Sequence, residues 1–107
     1  MITHNRTKEL IEILGVEDFS QLFEIFMQTW QTEAEKLYRN SERRKALHKL
    51  KGSCYAVGLD LIGKHIETVE EMLEHGAEST AREHFPLIIK EIETSQESVK
   101  MLIVQLS

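Results

Sequence analysis

The sequence predicts an all-α protein, specifically an up-and-down antiparallel four-helix bundle with a short N-terminal lid helix. Apolar residues recur at steps of three and four through most of the chain, and glycines or an Asn-Ser pair punctuate those runs at helix-length intervals. Nowhere do apolar and polar residues alternate as in a half-buried strand. With 107 residues, 41% of them hydrophobic, and one proline, the chain can bury a single core, so residues 1–107 are expected to form one domain.

The first helix is expected with Thr7 as N-cap, Leu10, Ile11 and Leu14 on one face, and Gly15 as its stop. The second carries Phe19, Leu22, Phe23, Phe26, Trp30, Ala34 and Leu37 in one broad apolar stripe. Its aromatic members read as core and not as a cofactor box. Asn40-Ser41 ends it, with Ser41 placed to cap a third helix that stops at Gly58. Asp60 is expected to cap the fourth, with Ile62, Ile66, Val69, Met72 and Leu73 inward and an end near Gly76. The fifth runs from about Ser79 to the C-terminus through Phe85, Ile88, Ile89, Ile92, Val99, Leu102 or Ile103, and Leu106. Pro86 lies inside that pattern and is expected to kink or restart the helix.

Composition excludes several classes. No apolar run approaches the roughly 20 residues of a membrane span, and the opening MITHNRTKELIE lacks the apolar core of a signal peptide. A cytoplasmic location is expected. Cys54 is the only cysteine, so no disulfide framework or thiolate cage is available. The net charge of −5 argues against nucleic-acid binding. Its distribution is uneven: Arg43, Arg44, Lys45, Lys49 and Lys51 place five positive charges and no acid within residues 43–51, leaving −10 for the rest. Such an island suits a small anion or an acidic patch on a partner.

The same stretch, ALHKLKGSCYAVG at residues 46–58, carries the candidate site. At roughly 100° per residue, Leu47, Leu50, Cys54 and Val57 share one narrow sector, which is the core face. His48 lies more than about 90° from the middle of that sector and is expected to face solvent. Arg44, Gly52 and Tyr55 share its side, with Lys45 and Lys51 flanking. A mid-helix glycine costs roughly 0.5–1 kcal/mol relative to alanine. A solvated charged face does not explain Gly52, whereas close approach of a partner or phosphoryl group to His48 does.

His48, Leu50, Lys51, Gly52, Ser53 and Gly58 resemble the H-x-L-K-G-[SA]…G signature of histidine-containing phosphotransfer (HPt) domains. Gly58, Ile62, Ile66, Val69 and Glu70 are similar to the family's downstream G-A-x-x-L-x-x-x-C-x-x-L-E run, with Leu59 in place of the usual alanine and Ile66 where cysteine is common. The matching motif covers residues 46–70. The resemblance implies that His48 accepts a phosphoryl group from a receiver-domain aspartate and passes it to another receiver. The implied partners are receiver domains of a hybrid sensor kinase and a response regulator, and the implied oligomeric state is a monomer. No metal or other cofactor is expected in this chain; magnesium would come from the partner receiver.

The residue chemistry is compatible with that role. Neutral imidazole is a competent nucleophile near neutral pH, and phosphoryl transfer needs mainly positioning and charge stabilisation. Lys51, with Arg44 and Lys45 as helpers, is expected to offset phosphate charge, Gly52 to keep the approach open, and Ser53 to serve local packing. Tyr55 is the candidate exposed anchor for a partner, with Leu59, Ile11 or Leu14 extending the surface. No Walker-type loop or kinase nucleotide box is present, and HKLKGSC departs from the H-E-[LI]-[RK]-x-P-L pattern of dimerising histidine-kinase helices. The competing expectation is a non-catalytic helical adaptor that uses the basic island only to dock receiver or other acidic partners.

The remaining candidates read as structural. His65 sits at the edge of an apolar stripe as a half-buried histidine, and Lys64 alone does not make it a phosphosite. His4, His75 and His84 are placed near termini or loops, with His75 and His84 too far apart for a metal pair. Cys54 belongs to the core sector. Glu67, Glu70 and Glu71, and Glu91 with Glu93, read as solvated helix faces.

Overall fold

The structure, a computed structural model, describes residues 4–107; the first three residues of the polar N-terminus lie outside the described residues. It is all-helical, with five helices and no strand among the described residues. They are α1 (Asn5–Leu14), α2 (Val16–Lys36), α3 (Arg43–Ala56), α4 (Asp60–Glu74) and α5 (Glu78–Leu106). No helix is long and apolar enough to cross a membrane.

The predicted apolar stripes converge on one core. Phe19, Phe23, Phe26 and Trp30 of α2 meet Leu47, Leu50 and Cys54 of α3, Ile62, Ile66 and Val69 of α4, and Phe85, Ile88, Ile92 and Val99 of α5. The three phenylalanines stack in sequence, with centroids 6.0 and 5.6 Å apart. Trp30 is buried, and its Nε1–H donates to Gln96 Oε1 of α5 at 2.9 Å, which satisfies the indole donor. α2 packs on α1, α3 and α5, and α4 packs on α3 and α5. Leu106, expected inward, is instead 45% exposed at the end of α5.

Helix ends differ from expectation because bonds other than the expected side-chain caps hold the corners. α1 begins at Asn5, and Thr7 lies inside it, fully buried, with Oγ1–H donating to the Val57 carbonyl at 3.1 Å. Ser41 caps nothing. Leu37 to Glu42 form turns, and the guanidinium of Arg43 organises them by donating from Nε to the Leu37 carbonyl at 2.7 Å and from Nη1 to Asn40 Oδ1 at 2.9 Å. Asp60 is the first residue of α4 and not its cap, leaving its carboxylate beside the helix's positive end.

Glycines terminate α3 and α4 as expected. Gly58 has φ +82°, with its N–H on the Tyr55 carbonyl and that of Leu59 on Cys54, which together form a Schellman motif. Gly76 repeats the motif after α4, with φ +78° and bonds from Gly76 to Leu73 and from Ala77 to Met72. Pro86 does not restart α5, which is continuous over 29 residues. The ring sits on the exposed side, so the Arg82 carbonyl that loses its N–H partner can turn to water. At about 1.5 Å per residue α5 spans about 43 Å, nearly the full 45 Å length of the molecule.

Gly58 is irreplaceable on two counts: its positive φ, and a β-carbon there would lie 2.7 Å from the Thr7 backbone nitrogen. Gly58→Ala is therefore expected to destabilise the fold by about 2–4 kcal/mol, combining left-handed strain with overpacking. Urea denaturation checks it, and an unchanged midpoint would show that α1 does not pack on this turn.

Candidate functional site

His48 projects from the middle of α3 with its side chain 75% exposed, on the face opposite Leu47, Leu50 and Cys54. The helix places Arg44 one turn before it and Gly52 one turn after. Gly52 is exposed, and a β-carbon built there would meet nothing within 4 Å. Nothing inside the fold requires glycine at this position.

Across the seam, α4 supplies carboxylates. Lys51 Nζ donates to Glu70 Oε1 at 2.9 Å, while Glu70 Oε2 lies 3.8 Å from His48 Nδ1. The second distance is too long for a hydrogen bond. It does place a carboxylate beside Nδ1. The bond to Glu70 raises the Lys51 pKa above its ordinary value, with Glu67 adding a smaller attraction. One turn away on α4, Glu67 accepts from the Tyr55 hydroxyl. That bond, followed by burial, pushes the Tyr55 phenol up to about 12. The contacts pair residues in opposite order along the two helices, from Gly63 and Glu67 with Tyr55, through Glu70 with Lys51 and His48, to the Leu73 carbonyl with Arg44 Nη2 at 2.9 Å. α3 and α4 are therefore antiparallel, in a register that sets Glu70 opposite His48.

Glu67 and Glu70 are thus not idle solvated residues. The sequence contains them but not the register that turns them toward α3. Glu91, also expected on a solvated face, instead lies 2.5 Å from His65 Nδ1. His84 sits within α5, not near a loop, and meets His65. Lys64 is exposed, Ser53 is half-buried, and His75 Nδ1–H donates to the Glu71 carbonyl at 2.8 Å. His4 is at the start of α1, where burial and then nearby Lys8 lower its pKa.

The expected docking surface needs correction. Leu59 is 1% exposed and belongs to the core, because the left-handed turn at Gly58 folds it back against α3. Ile11 is likewise buried, whereas Leu14 remains 41% exposed. Tyr55 is half-buried, its ring lying over Gly63 so closely that a β-carbon there would sit 2.6 Å from Cζ.

The basic island is also smaller than its count. Arg43 is buried, paired with Glu78 at 3.0 Å and stacked 5.5 Å above the Phe85 ring. Lys51 is held by Glu70, and Lys49 lies 3.9 Å from Glu33. Arg44 and Lys45 are exposed and make no ion pair among the described residues. No family model, no curated protein and no solved structure matches this chain.

Two groups report on this region in solution. Tyr55 keeps its proton to about pH 12, whereas an unfolded tyrosine releases it near 10, so its stabilising contribution is complete below pH ~10 and is lost as pH rises through 12. Tyr55→Phe is expected to flatten the alkaline fall in unfolding free energy across that window, and equal slopes for both proteins would refute the Glu67 bond. Cys54 is buried, which pushes its thiol up to about 12 with Glu91 contributing. A chromogenic thiol reagent at pH 8 is expected to modify it only at the rate of unfolding, and fast labelling of the native chain would contradict this.

Proposed function

We propose that the protein is a phosphorelay intermediate of the histidine-containing phosphotransfer type, accepting a phosphoryl group on His48 and passing it on. The observation that carries this reading is an exposed imidazole with a carboxylate at one ring nitrogen and a lysine one turn away. The order of helix contacts, α2 with α3, α3 with α4, α4 with α5 and α5 with α2, fits the expected four-helix bundle. α1, which packs on α2 and reaches the α3–α4 turn through Thr7, fits the lid. The fold lacks an internal reason for Gly52, and this too supports a surface that something must approach closely.

In this reading Glu70 favours the proton on His48 Nδ1, which leaves the Nε2 lone pair for attack. Nε2 forms a bond to phosphorus as the acyl-phosphate oxygen–phosphorus bond breaks, and the donor aspartate leaves as carboxylate. The reverse step delivers the phosphoryl group to a second receiver aspartate. Lys51 turns part of its charge from Glu70 to the phosphoryl oxygens, with Arg44 and Lys45 as exposed helpers. Gly52 leaves room for the incoming backbone, and magnesium belongs to the receiver. The partners are receiver domains of a hybrid kinase and a response regulator, the protein acts as a monomer, and its location is cytoplasmic.

Incubation with a phosphorylated receiver is expected to transfer label to this chain as an acid-labile, alkali-stable adduct. His48→Gln abolishes it. Lys51→Ala slows transfer by roughly 10- to 100-fold without loss of fold, since Lys51 lies off the core and a lost charge-assisted contact is worth about 1.5–3 kcal/mol. Persistent label in His48→Gln, or no transfer from any receiver encoded alongside it, sinks the proposal and leaves a helical adaptor.

A further inference from the structure

The described residues gather no group of three or more histidine, cysteine or acidic side chains arranged to hold a metal ion. They do bring two imidazoles from different helices together nitrogen to nitrogen. On the α4–α5 seam, His65 Nε2 lies 2.7 Å from His84 Nδ1, with ring centroids 5.0 Å apart and planes at 79°. Behind His65, Glu91 Oε1 sits 2.5 Å from Nδ1. His65 and Glu70 are five positions apart on α4, about 140° around the helix. The cluster therefore occupies a different face from His48, and a ligand held there is independent of the phosphorelay reading.

The geometry points to a two-histidine site for a divalent transition-metal ion of the zinc, copper or nickel class. His65 Nε2 and His84 Nδ1 are its protein ligands, Glu91 orients His65, and water completes the coordination.

Glu91 as a carboxylate can only accept, so His65 keeps its proton on Nδ1 and turns the Nε2 lone pair toward α5. In the metal-free contact His84 Nδ1–H donates to that lone pair; an ion would replace this proton, which moves to His84 Nε2 or to solvent, leaving two lone pairs facing the same gap. Two metal–nitrogen bonds of about 2.0–2.1 Å at a tetrahedral angle separate their nitrogens by roughly 3.3 Å. The two nitrogens now face each other nearly head-on, so the rings must both separate by about 0.6 Å and swing until their lone-pair axes meet at the ion. His65 is 20% exposed and His84 half-buried, so the seam has an open side through which water can reach the ion. Neutral imidazoles select zinc, copper and nickel and leave magnesium and calcium to oxygen ligands. A carboxylate behind a ligating histidine is the usual support of such sites, raising ligand basicity and locking the ring. The pair also joins α4 to α5 beside the buried Ile66 and Ile88, so a bound ion would fasten two helices of the core.

The test titrates the full chain with zinc chloride alone, and separately with magnesium chloride, following heat of binding and thermal midpoint. One zinc ion is expected to bind and raise the midpoint, with magnesium inert. His84→Ala abolishes the effect, His48→Gln keeps it, and Glu91→Gln, which spares both ligands, weakens binding about 10- to 100-fold. Imidazole resonances of the unaltered protein give a readout free of folding effects: those of His65 and His84 shift on zinc addition before those of His48 and His75. Zinc binding that survives His84→Ala, shifts confined to other histidines, an equal response to magnesium, or no binding at all overturns the proposal.

Discussion

The site depends on how closely α4 approaches α3 at Gly63. There the Tyr55 ring fills the space a β-carbon would need, at 2.6 Å, so only glycine lets the two helices meet. Ring and backbone together allow one register. One turn on, Glu67 receives the Tyr55 hydroxyl; after another turn, Glu70 faces both Lys51 and His48; at the end of α4, the Leu73 carbonyl receives Arg44. A shift by one residue would place side-chain bulk under Tyr55 and rotate Glu70 away from the imidazole.

The ends of α3 are held from elsewhere in the chain. At its start, Arg43 is buried and links the α2–α3 turn, the first turn of α5 and the face of Phe85, which itself meets Tyr38 edge-on at 5.7 Å. At its finish, Thr7 of α1 bonds the Val57 carbonyl and packs against Gly58. An exposed histidine is thereby mounted on a helix fixed at both ends, which suits chemistry governed by positioning.

Much of this was legible in the sequence where the signal was periodic. The sector Leu47, Leu50, Cys54 and Val57 is buried, and His48 with Gly52 is exposed, because burial on a single helix follows from its own repeat. What depends on two elements at once was not legible. Glu67, Glu70 and Glu91 look in sequence like any solvated acidic face, and only inter-helix register aims them at Tyr55, Lys51 and His65. Leu59 was misplaced because a positive φ at Gly58 reverses the chain and returns the following side chain to the core. Thr7, Ser41 and Asp60 have the chemistry of caps, yet a long-range bond from Thr7, local bonds from Arg43 and the Gly58 turn organise these corners instead.

The sequestering of Arg43 by Glu78 and of Lys51 by Glu70 also governs how the protein is sensed from a distance. Five clustered cations on a chain of net charge −5 would ordinarily project a field able to steer a partner through solution. Here that field is largely cancelled inside the fold, and the charge still carried outward by Arg44 and Lys45 fades over a Debye length, roughly 8 Å in physiological salt. The positive charge of the His48 face is consequently felt only at short range.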